Sequence, residues 1–448
     1  MAKKFGTDGI RGLANKELTA KTVFEAAQAG ALVLSKGVEK PIVLIASDTR
    51  LSCDMFVMAA AAGICSVGAT AVDLGVLPTP AVSVLIKKYG AHAGVMISAS
   101  HNPFYDNGIK FIGSDGYKLS DAVEREIEDL MENIDNSVEF PSGADVGVTQ
   151  ALPNAKADYI AFLKECAGEV TLEGLTIALD CANGAASGVA PELFESLGAT
   201  IHTIGNTPNG ININEKCGST YMDTLVEFMR DKGCDMGFAF DGDADRSFAV
   251  DEAGNVVDGD MMMAILAMRM KEKGKLAKNT VVATVMSNLG FINAMTESGI
   301  EVVQTAVGDR YVLQRMKEDG FTLGGEQSGH IILANHQTTG DGLLAALAVA
   351  VIVKTSGKRL SELNIMKKMP QVLINARVAN DMKDEVITRY EVVEAIKALH
   401  AKYDGGKGRV LIRPSGTEPL LRVMIEGADL DEITADAKKL AKMLEDVQ

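Results

Sequence analysis

The chain has 448 residues, 47% of them hydrophobic, with 60 acidic against 44 basic residues and a formal net charge of -16. That length exceeds one ordinary core, so several domains are expected, and the negative surface argues against nucleic acid and anionic membrane as partners. Six scattered cysteines form no C-x-x-C pair, tryptophan is absent and there are only 14 Phe and 8 Tyr, which argues against a disulfide scaffold and an aromatic platform for stacking bases.

In chain order, the start MAKKFGTDGIRG has no apolar stretch behind its lysines, so it reads as no signal peptide, and reduced thiols in a cytoplasm are the expectation. Strands are predicted at Ile42 to Ala46, Val72 to Val76 and Gly94 to Ser98, with helices at Cys53 to Val67 and Ala81 to Lys88 between them. The same alternation restarts near Leu175 and again near Asp260. The longest apolar run, Leu343 to Val353, is about half a bilayer span and reads as a buried helix. After Pro370 the order changes to a strand (Val372 to Val378), a helix near Glu385 to Tyr403, two strands around Pro414 and a final helix. This predicts three tandem, similar α/β domains with mixed sheets, followed by a smaller α+β C-terminal domain. The boundaries fall in the polar stretch SGADVGVTQALPN, the turn Glu252 to Asn255 and the KKMP segment, giving domains 1–152, 153–254, 255–370 and 371–448.

Four loops carry candidate chemistry. The first, Ser98 to Pro103 (SASHNP), directly follows an apolar strand, where ligands of open α/β sheets collect. Its Ser, Asn and Pro residues equally suit an ordinary turn. The second is Asp241-Gly-Asp-Ala-Asp-Arg246, again after an apolar strand. Three alternating carboxylates converge where a hard cation neutralises them, and oxygen-only ligands point to Mg²⁺ or Ca²⁺. With Glu252 they mimic a calcium EF-hand loop, but Arg246 stands where that loop needs glycine and the flanks read as strands. A solvated acidic turn is the remaining alternative. In the third loop, Gly324 to His330 (GGEQSGH), Glu326 and Ser328 suit sugar hydroxyls; glycines in a hairpin turn are the plain alternative. The fourth, Arg413-Pro-Ser-Gly-Thr-Glu-Pro419 with Arg422, combines an arginine fork with two hydroxyls as a phosphate clamp, against an ordinary strand connection.

In this order the four loops resemble the α-D-phosphohexomutase superfamily, and the resemblance spans the whole chain. Within it, FGTDGIRG, SASHNPFYDNGIKFI, GEQSGH and HQTTGDGL look like the phosphoglucosamine mutase branch. Those enzymes interconvert glucosamine 6-phosphate and glucosamine 1-phosphate, towards UDP-N-acetylglucosamine and the bacterial cell wall. The resemblance implies an active site in a central cleft and a phosphoserine at Ser100 rather than Ser98. It also implies one Mg²⁺ per chain on Asp241, Asp243 and Asp245, with a phosphoserine oxygen as a further ligand. Glu326 and Ser328 would contact the sugar, and Arg413, Ser415, Gly416, Thr417 and Arg422 the phosphate. Arg11, Lys110 and Arg246 match the basic residues around the transferring phosphoryl group. Glucose and mannose mutases commonly carry Met in GEMSGH and His in the third-domain loop; here Gln327 and Asp309 stand there, Asp309 with Arg310 as sugar-side candidates.

The implied reaction passes through glucosamine 1,6-bisphosphate, intermediate and activator, which turns end over end. Lys110 and then His330 are the candidates for taking the hydroxyl proton, Lys110 on the expectation of positive charge and burial around it. The first phosphate on Ser100 comes either from a kinase or from autophosphorylation, and a homodimer is the candidate assembly. The competing enzyme readings are a glucose or mannose phosphate mutase of the same mechanism and a Mg²⁺-dependent sugar phosphatase using Asp241.

Overall fold

The computed structural model of the protein describes residues 5–6, 9–415 and 419–447. The chain divides into two compact units, Met1–Val285 with Val303–Asn364, and Met286–Val302 with Ile365–Gln448.

The first sheet has six strands: β1 (Ile10–Leu13), β2 (Ile42–Ser47), β3 (Thr70–Val76), β4 (Ala93–Ile97), β5 (Asp106–Gly113) and β6 (Thr149–Ala151). Their spatial order is β1-β5-β4-β2-β3-β6. β4, β2, β3 and β6 run parallel, while β5 is antiparallel to both β4 and β1. Val43, Ile45, Val95, Ile97 and Phe111 alternate along their strands and share one core with Phe56 and Ile64 of the helix Cys53–Ser66. Leu44, Ala46 and Met96 on the other face are buried as well. A parallel sheet covered on both faces reads in sequence as a continuous apolar run, which is why these strands were visible.

The second sheet holds β7 (Thr176–Asp180), β8 (Thr200–Ile204), β9 (Met236–Phe240), β10 (Ser247–Asp251) and β11 (Val256–Val257), ordered β11-β10-β9-β7-β8. β8, β7 and β9 are parallel; β10 returns antiparallel to β9. The turn Glu252 to Asn255, expected to separate two domains, is the hairpin that adds β11 to β10. The third sheet holds β12 (Thr280–Thr284), β13 (Glu301–Thr305), β14 (Leu323–Gly325) and β15 (Ile331–Leu333), ordered β13-β12-β14-β15. There β14 is parallel to β12 and β15 antiparallel to β14.

The three sheets share one device. Each candidate loop joins the last parallel strand to its antiparallel neighbour, β4 to β5, β9 to β10 and β14 to β15. Each loop also has one residue with a left-handed backbone: Ser100 (φ 52°), Ala244 (φ 52°) and Gly329 (φ 89°).

In the second unit, β16 (Gln371–Arg377), β17 (Gly408–Pro414) and β18 (Leu420–Gly427) form an antiparallel sheet ordered β16-β18-β17. The helix Leu430–Asp446 covers it with Ile433, Ala437, Leu440, Ala441 and Leu444, a single apolar stripe. Asp429 caps that helix by accepting from the Asp431 and Glu432 amides at 2.9 and 3.0 Å. The single helix expected near Glu385 to Tyr403 is two, Lys383–Thr388 and Tyr390–Lys402, broken where Arg389 adopts an extended backbone (ψ 139°). The run Leu343 to Val353 lies in the helix Gly342–Ser356, buried as expected. Among the described residues no helix is long and apolar enough to cross a membrane.

One glycine sets how two helices cross. A Cβ on Gly63, in the helix Cys53–Ser66, would lie 2.4 Å from the Phe24 carbonyl oxygen of the helix Ala20–Leu34. Gly63→Ala must push backbone from backbone, and overpacking of this kind costs about 1–3 kcal/mol. Its thermal midpoint should fall below that of the parent chain in calorimetry; an unchanged midpoint would show that the crossing has slack.

Candidate active site

Ser100 occupies a loop built from below. The guanidinium of Arg50, just past the end of β2, is fully buried and pairs with Asp48 (Nε to Oδ2, 2.8 Å). It donates to the carbonyls of Ser100 (2.8 Å), Asn102 (2.9 Å) and Asp106 (3.0 Å), and to that of Pro103. Ser98 donates its hydroxyl to Asp48 (2.7 Å) and accepts the Ser100 amide (2.9 Å). From the other side Asn214 donates to the Ser100 and Asn102 carbonyls at 2.9 and 3.1 Å. These bonds hold Ser100 at φ 52°, a region that L-residues leave unless the surroundings compensate. Ser98 is thus committed to scaffold contacts, and Ser100 Oγ is the hydroxyl that faces the acidic loop, donating to Asp241 Oδ2 at 2.6 Å.

Asp241, Asp243 and Asp245 are all buried, and one carboxylate oxygen of each lies within 4.8 Å of the others. Burial, with Asp245 and Asp243 beside it, pushes the Asp241 carboxyl well above the usual carboxylate range. Asp245 Oδ1 is buried without a hydrogen-bond partner. A desolvated, all-oxygen set with an unsatisfied carboxylate oxygen fits a hard divalent cation. Gly242 lets the loops meet: a Cβ there would sit 2.5 Å from the Ser100 carbonyl oxygen. Asp243 Oδ2 accepts from Lys110 Nζ at 2.7 Å and from the Thr79 hydroxyl at 2.6 Å. The neighbour this shows beside buried Lys110 is a carboxylate, where positive charge was expected from the sequence.

Arg246 Nη1 lies 3.2 Å from His101 Nδ1, and its amide donates to Asp241 Oδ1 at 3.3 Å. Its pKa is raised despite burial, because Asp245, Asp241 and Glu326 surround it with negative charge. Burial, then Arg246 and Arg11, lower the His101 pKa to about 4, so that ring is neutral at pH 7 and accepts from arginine. Arg11 is exposed on β1, opposite Gly108.

The third loop is pinned to this cluster. Ser247 donates its amide to the Gly329 carbonyl (3.1 Å), and Gly259 donates to that of Gln327 (3.1 Å). Glu326 Oε1 accepts the Gly308 amide at 3.2 Å, and Ser328 is exposed at the tip. Buried His330 stands between loops, with Nε2 3.4 Å from Asp309 Oδ2 and 3.8 Å from Asp245 Oδ2. Asp309 begins the helix Asp309–Asp319. Arg310 is engaged by Asp121 and by Glu124 at 3.2 Å, so its guanidinium is committed to carboxylates of the helix Asp121–Ser137.

In the second unit, Arg413 and Arg422 lie directly opposite each other on β17 and β18. Two guanidinium groups brought side by side in this way suit an anion such as phosphate. Ser415 donates its amide to the Leu420 carbonyl (2.9 Å), and its own carbonyl accepts from buried Lys383 (2.7 Å). Gly416 and Thr417 lie outside the described residues.

The chain matches phosphoglucomutase/phosphomannomutase alpha/beta/alpha domain I over residues 2–138, domain II over 157–254, domain III over 258–369 and the C-terminal domain over 373–443. It belongs to the phosphoglucomutase/phosphomannomutase family. A phosphoglucosamine mutase of Clostridium perfringens is 55% identical over 446 residues, 99% of each chain. In fold it is similar to a phosphoglucomutase/phosphomannomutase family protein from Burkholderia thailandensis (TM-score 0.80, 22% identity, 99% of this chain and 98% of that one). Aspergillus fumigatus N-acetylphosphoglucosamine mutase in complex with GlcNAc-6P and magnesium also shares the fold (TM-score 0.68, 19% identity, 99% and 96% covered).

Sequence reasoning missed the parts that hold this family's loops in place here: Asp48, Arg50, Thr79, Asn214 and Lys383. Arg50 was the most accessible of these, since Asp48-Thr-Arg50 directly follows an apolar strand. Arg50→Met should cost about 3–5 kcal/mol, because it leaves Asp48 buried and unpaired. Urea denaturation should show the loss as a lowered midpoint, and an unchanged midpoint would remove the pair from that role.

Proposed function

We propose that the protein is a phosphoglucosamine mutase, interconverting glucosamine 6-phosphate and glucosamine 1-phosphate through a phosphoserine at Ser100. Full-length similarity at 55% identity supports the substrate. The observation that carries the mechanism is the 2.6 Å contact of Ser100 Oγ with Asp241, at the edge of the buried aspartate cluster.

A phosphoryl group on Ser100 passes to the free hydroxyl of the sugar monophosphate. The P–O bond to serine breaks, a P–O bond to the sugar forms, and the bisphosphate then returns its other phosphoryl group to Ser100. Asp241, Asp243 and Asp245 would hold one Mg²⁺, which supplies charge neutralisation at the phosphoryl oxygens. Arg246 and Arg11 add fixed positive charge, the main need in phosphoryl transfer. Lys110, which donates to Asp243, is the first candidate to exchange a proton with the hydroxyl or its leaving oxygen, and His330 is the second. Glu326, Ser328 and Asp309 contact the sugar. Arg413, Ser415, Thr417 and Arg422 bind phosphate without regard to which end of the sugar carries it.

Assays on glucosamine, N-acetylglucosamine, glucose and mannose phosphates should give the highest kcat/KM with glucosamine; faster turnover of glucose or mannose phosphate would replace the substrate assigned. In the same preparations Ser100→Ala should lose both turnover and the covalent phosphate seen by intact mass. Ser98→Ala should keep the phosphate, and peptide mapping that placed it on Ser98 would overturn the assignment.

Chelation tests the cluster. Excess chelator, or Asp243→Ala, should abolish turnover, and calorimetry should show one Mg²⁺ per parent chain and none in the variant. Full activity under either condition would count decisively against a required cation.

A further inference from the structure

The turn between β5 and the helix Asp121–Ser137 belongs to none of the four loops, yet it grips the sugar side of the site. The Gly116 carbonyl accepts from the Thr338 hydroxyl at 2.6 Å. Lys317 Nζ lies 3.7 Å from the centre of the Tyr117 ring. Lys118 Nζ lies 2.5 Å from Asp309 Oδ2, and Arg310 is taken by Asp121 and Glu124. Lys317, Asp309 and Arg310 all lie on the helix Asp309–Asp319.

Among these contacts the Lys118 pair has a distinct consequence. Its partner oxygen on Asp309 is also the one 3.4 Å from His330 Nε2, while Asp309 Oδ1 accepts the Arg310 amide at 2.9 Å. The preceding residue, Gly308, donates its amide to Glu326. Asp309 is therefore held from two sides, next to a residue bonded to the sugar-loop carboxylate. Both side chains of the pair are 17% exposed, so the carboxylate is reachable by a solute. An ionised carboxylate accepts at about four lone-pair positions, so one carboxylate can serve several donors at once.

We infer that Lys118 is a positioning residue: it acts through Asp309, fixing that carboxylate where it reads the 2-ammonium group of an amino-sugar phosphate. The inference rests on the glucosamine reading above. A carboxylate bonds an ammonium more strongly than a hydroxyl, by about tenfold in affinity for a single contact. An aspartate free to swing loses that advantage without losing the ability to hold a hydroxyl. Lys118 thus sets discrimination between 2-amino and 2-hydroxy sugars rather than phosphoryl transfer itself.

The test uses the full phosphorylated chain with glucosamine 6-phosphate and glucose 6-phosphate, measuring kcat and KM separately. Lys118→Met should raise KM for glucosamine 6-phosphate about tenfold and leave glucose 6-phosphate within about twofold. Lys118→Arg, which keeps the charge, should restore most of the ratio. Asp309→Asn should collapse the ratio to the same extent, and the double variant should lose nothing further. Tyr117→Leu, which removes the ring contact from the same turn, should lower the thermal midpoint and keep the ratio. Equal losses on both sugars in Lys118→Met, or additive losses in the double variant, would overturn the inference alone. A parent chain that itself favours glucose 6-phosphate would overturn the glucosamine reading and this inference with it.

Discussion

Asp48 and Arg50 are two residues apart at the end of β2, and their buried ion pair shapes the loop on which the rest of the site depends. A buried guanidinium needs acceptors for all its donors, and here the loop carbonyls of Ser100, Asn102, Pro103 and Asp106 supply them. The dependence runs both ways. The bond to the Ser100 carbonyl is buried, so without Arg50 that carbonyl would be a buried acceptor with fewer donors. The left-handed Ser100 backbone survives because so many bonds meet around it. With the backbone settled in this way, the Ser100 hydroxyl is free to face Asp241.

The acidic loop poses the opposite problem, since three carboxylates have been taken out of water beside one another. Lys110 and Thr79 both donate to Asp243 Oδ2, and Arg246 offsets part of the charge, yet Asp241 is still pushed towards protonation. A site that is unfavourable as bare protein, and whose ligand atoms are all oxygen, is stabilised most by a small hard cation. The net charge of -16 is compatible with an anionic substrate for the same reason. Within the first unit Lys110 and Arg246 supply positive charge beside the acidic loop. They need only overturn the field at the site.

The sequence made the loops readable because each motif carries its chemistry within a few residues. The strands of the first two sheets were readable because both faces are apolar. What stayed hidden depends on distant partners. Thr79 and Asp243 are far apart in the chain, as are Lys118 and Asp309, and no local pattern marks either pair. Arg310 looked like a sugar contact beside Asp309, and only the fold shows it facing Asp121 and Glu124. The polar stretch SGADVGVTQALPN read as a domain boundary, and the strand within it, Thr149–Ala151, which completes the first sheet as an edge strand with all three residues exposed, went unseen. An exposed edge strand has no apolar alternation to betray it. The break at Arg389 was equally silent, since the flanking residues keep helical composition.

The division of the chain into units has its own physical cause. Met286–Val302 precedes Pro370, where the last domain was expected to begin, yet it belongs with the C-terminal unit. Glu426, fully buried on β18, accepts from Asn288 Nδ2 at 3.0 Å and from the Leu289 amide. Arg409 pairs with the same carboxylate at 2.7 Å and donates to the Ser287 carbonyl. Burial pushes the Glu426 carboxyl up, and Arg409 with the Leu289 amide draws it back. Asn288 caps the helix Leu289–Glu297 and also donates to the Met369 carbonyl. A segment whose helix cap, amide and carbonyl are all anchored to one sheet belongs with that sheet, whatever its place in the chain. The C-terminal unit is therefore joined to the remainder by three chain crossings, at 285–286, 302–303 and 364–365, rather than by one linker. The arginine pair on β17 and β18 and the segment that Glu426 fastens are thus parts of one packed unit.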